Sequence, residues 1–154
     1  MNDNSNLAAE VAAYFDRRSA TYDAGDFHPR LTARLIEAAG IKEGQTVLDV
    51  ATGTGLVAIE AARRVGASGS VVGLDISPEM LAQARRKIDD LALPNIELWE
   101  GDAGTADLPP EGFDLILCSA ALVFMADIPA VLRGWHRFLV PPGNLWAPYG
   151  LSCQ

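Results

Sequence analysis

The amino-acid sequence predicts an α/β fold: a doubly wound, mainly parallel sheet with helices on both faces and a helical cap at the N-terminus. Three observations predict it. From Gln45 onward, short apolar runs of strand character alternate with helical runs, the pattern of a parallel sheet with right-handed crossovers. The first of these runs, Val47-Leu48-Asp49-Val50, passes directly into the turn Ala51-Thr52-Gly53-Thr54-Gly55 and then into the helical stretch 56–65. Glycines in such a turn let backbone approach a ligand closely, and the helix start offers unpaired N–H groups. Acids also stand where two further strands end, at Asp75 and Asp102.

The elements follow in chain order. Leu7, Val11, Tyr14 and Phe15 recur at helical spacing, which predicts an amphipathic helix over 5–20. A polar, turn-rich stretch from Ser19 to His28 precedes a second helix opened by Pro29, running through Leu31, Leu35 and Ile36 and stopped by Gly40. Strands are expected at 46–50, 70–74, 96–100, 113–118 and 144–146, and helices at 56–65, 78–92 and 128–139. Ser77-Pro78 reads as an N-cap followed by a first-turn proline, and Leu93-Pro94-Asn95 as the end of that helix. Pro109-Pro110 marks a loop. The expected organisation is a cap over 1–43 and a cofactor-binding unit over 44–154, together one structural domain.

Composition narrows the function classes. At 154 residues the chain fits one domain, able to bury roughly 70% of its unfolded surface. A net charge of −8 argues against a nucleic-acid partner, which needs clustered Lys and Arg. The two cysteines, Cys118 and Cys153, are far apart and have no metal-ligand spacing, so free thiols in a reducing compartment and no metal site are expected. The polar N-terminus shows no signal peptide, and no apolar run approaches the ~20 residues of a membrane span. A cytoplasmic protein is expected.

Asp75 closes the second strand, 20 residues beyond Gly55, where an acid suits the vicinal hydroxyls of a ribose; it also fits the cap of the helix opened by Ser77. Asp102, with Ala103, suits the edge of an adenine, or else simply forms a turn after Gly101. Asp49, inside the first strand, is costly unless hydrogen-bonded or facing a cation. Three acids directed at one pocket suit a ligand carrying an ammonium and a sulfonium better than an anionic pyrophosphate.

At these residues the chain resembles the class I S-adenosylmethionine (SAM)-dependent methyltransferases, most of all the ubiquinone/menaquinone-biosynthesis type. The resemblance runs through Val47–Gly55, with Ala51 where the family motif has its first glycine, and through Gly73-Leu74-Asp75-Ile76-Ser77-Pro78-Glu79-Met80. Glu100-Gly101-Asp102-Ala103 and Phe113-Asp114-Leu115-Ile116 continue it, and Phe15-Asp16 with Ala20-Thr21-Tyr22-Asp23 resemble the family's cap. It covers about residues 14 to 146. It implies a Rossmann-like fold and methyl transfer from SAM, with S-adenosylhomocysteine (SAH) as product, to a small molecule. It further implies that Asp49 orients the methionine amino group and that Ala51, Thr52, Gly53 and Gly55 line or shape the methionine side. By the same resemblance, Asp75 binds ribose, Ile76 and Met80 pack on adenine, Asp102 and Ala103 read its edge, Cys118 offers its carbonyl, and Tyr22 reaches the carboxylate.

His28 is a candidate base, or else starts the turn before Pro29; His136 is expected to pack at the edge of the stripe Ile128-Val131-Leu132-Trp135-Leu139. Residues 120–125 are expected to line an acceptor site that is at least partly apolar, or to be plain core. Pro141-Pro142-Gly143 takes the place of the family's Pro-Gly-Gly turn, Pro148 interrupts the next strand, and the family's last two strands are not found before Gln154. From this end follow two expectations: a homo-oligomer, most simply a dimer through 144–153 or the helix 128–139, and methyl transfer that is weak or absent although cofactor binds. The alternatives are a SAM- or SAH-binding protein with little catalysis and, because Gly53-x-Gly55-x-x-Ala58 also fits a dinucleotide fingerprint, an NAD-dependent oxidoreductase.

Overall fold

In the computed structural model, which describes residues 3–147, five strands form one sheet in the order β3-β2-β1-β4-β5, and every pairing is parallel. The strands are β1 Thr46–Val50, β2 Ser70–Asp75, β3 Ile96–Glu100, β4 Phe113–Cys118 and β5 Leu139–Trp146. The helices are α1 Asp3–Asp16, α2 Phe27–Ala39, α3 Leu56–Val65, α4 Pro78–Asp90 and α5 Ile128–His136. Short 3-10 turns lie at Ser19–Thr21 and Leu122–Phe124.

Alternation along the central strands decides the layers. Leu48, Val50, Val72, Leu74, Ile116 and Cys118 point to one face and pack with Trp135 of α5. Val47, Val71, Leu115 and Leu117 point to the other, against Leu35 and Ile36 of α2 and the alanine-rich side of α3. Ala84 and Ile88 of α4 meet Ile59 of α3. Successive side chains of a strand face opposite sides, so helices cover both faces of β1, which is fully buried from Val47 onward. Sheet order reverses between β1 and β4, and the ends of those strands open a crevice there.

Several sequence expectations are corrected. The first helix ends at Asp16 rather than residue 20; α2 begins at Phe27, with Pro29 inside its first turn, and ends on Gly40 in the left-handed conformation. Helix α4 ends at Asp90 and α5 at His136, three residues before the expected Leu139. That shortening accompanies the largest difference: β5 starts at Leu139 and runs through Pro141-Pro142-Gly143, which the sequence reading took as a turn. Among the described residues β5 pairs only with β4, and a bulge interrupts the ladder between Phe113 and Leu115. An edge strand tolerates proline because its outward N–H positions need no partner. His136 is exposed in the last turn of α5 and does not pack as expected. Pro148 and Cys153 lie outside the described residues.

Candidate functional site

A cavity of about 350 Å³ lies beyond the carboxyl ends of β1, β2, β3 and β4. The glycine turn forms its floor. Gly53 and Gly55 take positive φ of 57° and 84°, and Thr52 N–H donates to the Leu74 carbonyl at 3.0 Å, tying the turn to β2. A Cβ on Gly55 would meet Ala84 Cβ at 3.0 Å, so its glycine lets α4 approach the turn. Ala51 also has positive φ, 56°, at the position where the resembled motif carries glycine. Left-handed backbone costs a non-glycine residue roughly 1–2 kcal/mol, and Ala120, with φ 57°, repeats the feature at the end of β4. Both alanines line the cavity. Strained backbone of this kind concentrates where a fold serves a ligand.

Asp75 is the centre of the polar wall. It is buried; its Oδ2 accepts the Gly53 N–H at 2.7 Å and its Oδ1 the Ser77 N–H at 2.9 Å. One side chain thus joins the glycine turn to the start of α4, where Ser77 Oγ accepts the Met80 N–H at 3.1 Å. The helix-cap reading of Asp75 is therefore present beside its place in the cavity. Asp102 likewise forms a turn, accepting the Gly104 N–H at 2.8 Å, while lining the cavity with Ala103. Trp135 of α5 steadies that loop by donating to the Ala103 carbonyl at 2.8 Å.

Of the residues singled out in the sequence, Tyr22, Ala51, Gly53, Asp75, Ile76, Met80, Asp102 and Ala103 converge on this cavity. Asp49 and Thr52 instead line a small adjoining recess with Tyr22 and His28, and Gly55 and Cys118 line neither space. Asp49 is buried, and Thr52 Oγ1 donates to its Oδ2 at 2.6 Å. Burial pushes the Asp49 carboxyl up to about 7, against that hydrogen bond, and the neighbouring Asp75 adds to the rise. Burial also raises Asp75 from the ordinary range, partly offset by the N–H groups it accepts. The Cys118 thiol is pushed up to about 12 by burial, so it is no nucleophile near neutral pH. His28 stacks on Tyr22 with ring centroids 4.1 Å apart, and burial lowers its pKa.

The opposite wall is apolar. Leu7, Val11 and Phe15 of α1 line it together with Phe124, Met125 and Val131, and the Phe15 and Phe124 rings meet edge to face at 5.1 Å. Of the run 120–125, Leu122 is core and Val123 exposed, while Ala120, Ala121, Phe124 and Met125 line the cavity. The sequence predicts α1 as a packing helix whose end, Phe15-Asp16, resembles the family's cap, and the helical spacing of Leu7, Val11 and Phe15 is the signal for this wall. The polar contacts that hold the cap down leave no such signal. Asp16 Oδ1 accepts the Ser77 hydroxyl at 2.5 Å, and Asp23 pairs with Lys87 and accepts the Thr54 hydroxyl at 2.7 Å.

Two acids, Asp49 and Asp75, are thus buried at the glycine turn, and among the described residues no Lys or Arg lines the cavity or the recess. A buried carboxylate without a cation is costly. The donor set therefore fits a ligand that brings positive charge and offers hydroxyls and an adenine edge, as SAM does, and fits poorly a pyrophosphate.

Comparison with known proteins agrees with this chemistry. The model of the methyltransferase domain family matches residues 47–143. Aklanonic acid methyltransferase DauC of Streptomyces sp. (strain C5) is 34% identical over 144 residues, covering 92% of this chain and 66% of that protein. The ubiquinone/menaquinone biosynthesis C-methyltransferase UbiE of Cellvibrio japonicus is 35% identical over 145 residues, covering 90% of this chain and 58% of its own length. The chain thus spans less than two thirds of these relatives. The crystal structure of a SAM-dependent methyltransferase from Aquifex aeolicus superposes with a TM-score of 0.72 at 27% identity, over 82% of this chain and 68% of that one. Glycine turn, strand-end acids and matched family model coincide on the same strands: this chain belongs to the SAM-dependent methyltransferases, and its cofactor is SAM.

Proposed function

We propose that the chain transfers a methyl group from SAM to a small, partly apolar acceptor held in the same cavity, leaving SAH. The observation that carries this reading is a pair of buried acids, Asp75 in a cavity that also has an apolar wall and Asp49 in the adjoining recess, with no Lys or Arg among the described residues lining either space. SAM supplies an electrophilic methyl on a sulfonium, whose thioether leaves readily, so the protein's task is positioning. Asp75 accepts from the ribose hydroxyls with lone pairs not used by Gly53 and Ser77. Ile76 and Met80 pack on adenine, and Asp102 with the Ala103 N–H reads its edge. Asp49, through the recess behind the turn, attracts the amino group; Ala51, Thr52 and Gly53 shape that end, and Tyr22 covers it. Gly55 acts through the close approach of α4, and Cys118 through its backbone alone.

The apolar wall formed by α1 and residues 124–131 supports an acceptor with a flat or aliphatic body. Relatives named for aklanonic acid and for ubiquinone/menaquinone biosynthesis support the same class. The comparisons favour neither the non-catalytic binder nor the nicotinamide enzyme. The test is transfer of labelled methyl from SAM to a panel of apolar phenols, quinols and carboxylic acids. Labelled, extractable product is expected. SAH binding with no transfer to any member would overturn the catalytic reading.

The setting of the site belongs to the same proposal. The cap over 1–43 serves as a cover and the remainder as the cofactor unit. The net charge of −8 supports a small molecule over nucleic acid, and the buried free thiol of Cys118 supports a reducing, cytoplasmic compartment. No described helix is long and apolar enough to cross a membrane. Strand β5 is outermost among the described strands, with Val140 and Trp146 38% and 41% exposed, which supports pairing with a second copy. Sedimentation velocity at micromolar concentration checks this, with a dimer expected and a sharp monomer contradicting it.

A further inference from the structure

We infer that Asp23 is a positioning residue for cofactor binding, acting through Tyr22 without touching the ligand. Three distant segments meet at its carboxylate. Thr54 Oγ1, from the glycine turn, donates to Asp23 Oδ1 at 2.7 Å, and the Lys87 ammonium of α4 pairs with Oδ2. Lys87 Nζ also donates to the Thr54 carbonyl at 3.0 Å, which closes the triangle. Asp23 and Lys87 line neither the cavity nor the recess, while Thr54, buried at the turn, lines the recess. The residue on each side of this node does face ligand space. Tyr22 precedes Asp23 and lines both spaces; Gly53 precedes Thr54, and a Cβ placed on it would lie 3.9 Å from the Tyr22 ring. The node therefore sets how the Tyr22 ring lies over the turn, and the ring also stacks on His28. The ring is half-buried and meets Phe15 edge to face as well as His28. Holding a covering side chain in place before the ligand arrives lowers the ordering cost of binding.

This inference rests on the reading of the cavity as the SAM site, and the experiment separates the two. SAH affinity is measured calorimetrically on the whole chain for wild type, Asp23→Ala, Asp23→Asn, Lys87→Met, Tyr22→Ala and the double variant Asp23→Ala/Tyr22→Ala. Thermal melts confirm that each is folded at the titration temperature. Asp23→Ala is expected to bind about 10-fold more weakly, the scale of one lost charge-assisted hydrogen bond. Asp23→Asn, which keeps an oxygen for the Thr54 hydroxyl, is expected to recover most of that loss. In the Tyr22→Ala background the Asp23 substitution should cost less than about 2-fold, because coupled residues are not additive. An Asp23→Ala affinity within about 2-fold of wild type, or a full additional loss on top of Tyr22→Ala, overturns the inference while the SAM site stands. Where Asp23→Ala does not fold, Lys87→Met replaces it and is expected to weaken SAH binding; wild-type affinity in that variant overturns the inference equally. If wild type itself binds no SAH, the reading of the cavity falls first.

Discussion

Replacing Asp49 by Asn should change how stability depends on pH, because this carboxyl is buried without a cation. It is 1% exposed, the Thr52 hydroxyl donates to it, and burial lifts it from 3.8 to about 7. A carboxyl that holds its proton more tightly when folded favours folding below its unfolded pKa and loses that contribution as pH rises through the folded value. The window is therefore pH 4 to 7, approximately, and the full loss is on the order of 4 kcal/mol in the free protein. Asn keeps an oxygen for the Thr52 hydroxyl and does not titrate. The stability of Asp49→Asn relative to wild type should then rise by roughly 2–3 kcal/mol between pH 5 and pH 8. Urea unfolding of both proteins at four pH values measures it. Parallel curves, agreeing within about 0.5 kcal/mol across the range, would refute the reasoning from burial. A second readout follows from the proposed ammonium contact: SAH binding at pH 6 should release a proton, seen as a buffer-dependent heat that fades at pH 8.5.

Three other outcomes are expected. Asp75→Ala should weaken SAH binding by roughly 1.5–3 kcal/mol, since a charge-assisted acceptor at the ribose is lost; an unchanged Kd in a folded variant would remove Asp75 from the site. Ala51→Gly should stabilise the chain by about 0.5–1 kcal/mol, because relief of left-handed strain outweighs the entropy of glycine, and urea unfolding showing a loss would contradict the backbone argument. The cap, residues 5 to 28, should resist limited proteolysis better with SAH present, as cover and ligand order together; equal cleavage rates with and without SAH would count against a cover.

The sequence made the sheet and its ligand end legible for a physical reason. Strands β1 and β4 are bounded by their own chemistry, a buried apolar run stopped by a small residue, and β3 by the turn residues Asn95 and Gly101 on either side, and the structure keeps them at 46–50, 113–118 and 96–100. The same holds for Leu56–Val65, framed by Gly55 and Gly66. Strand β5 was not legible, because Pro141-Pro142 signals a turn locally, and only the position at the sheet edge makes a strand acceptable there. His136 was misread for a similar reason: its helix ends earlier and leaves it exposed. The acids at strand ends were visible from spacing. The contacts of Asp16 with Ser77 and of Asp23 with Thr54 and Lys87 were not, since they join residues 31 to 64 positions apart and leave no local pattern.

The central claim is that the cavity beyond β1 and β2 holds SAM. Calorimetric titration of the whole chain with SAH and, in parallel, NAD tests it most directly. One SAH per chain with no heat from NAD is the predicted result; NAD binding in the absence of SAH binding would contradict the account.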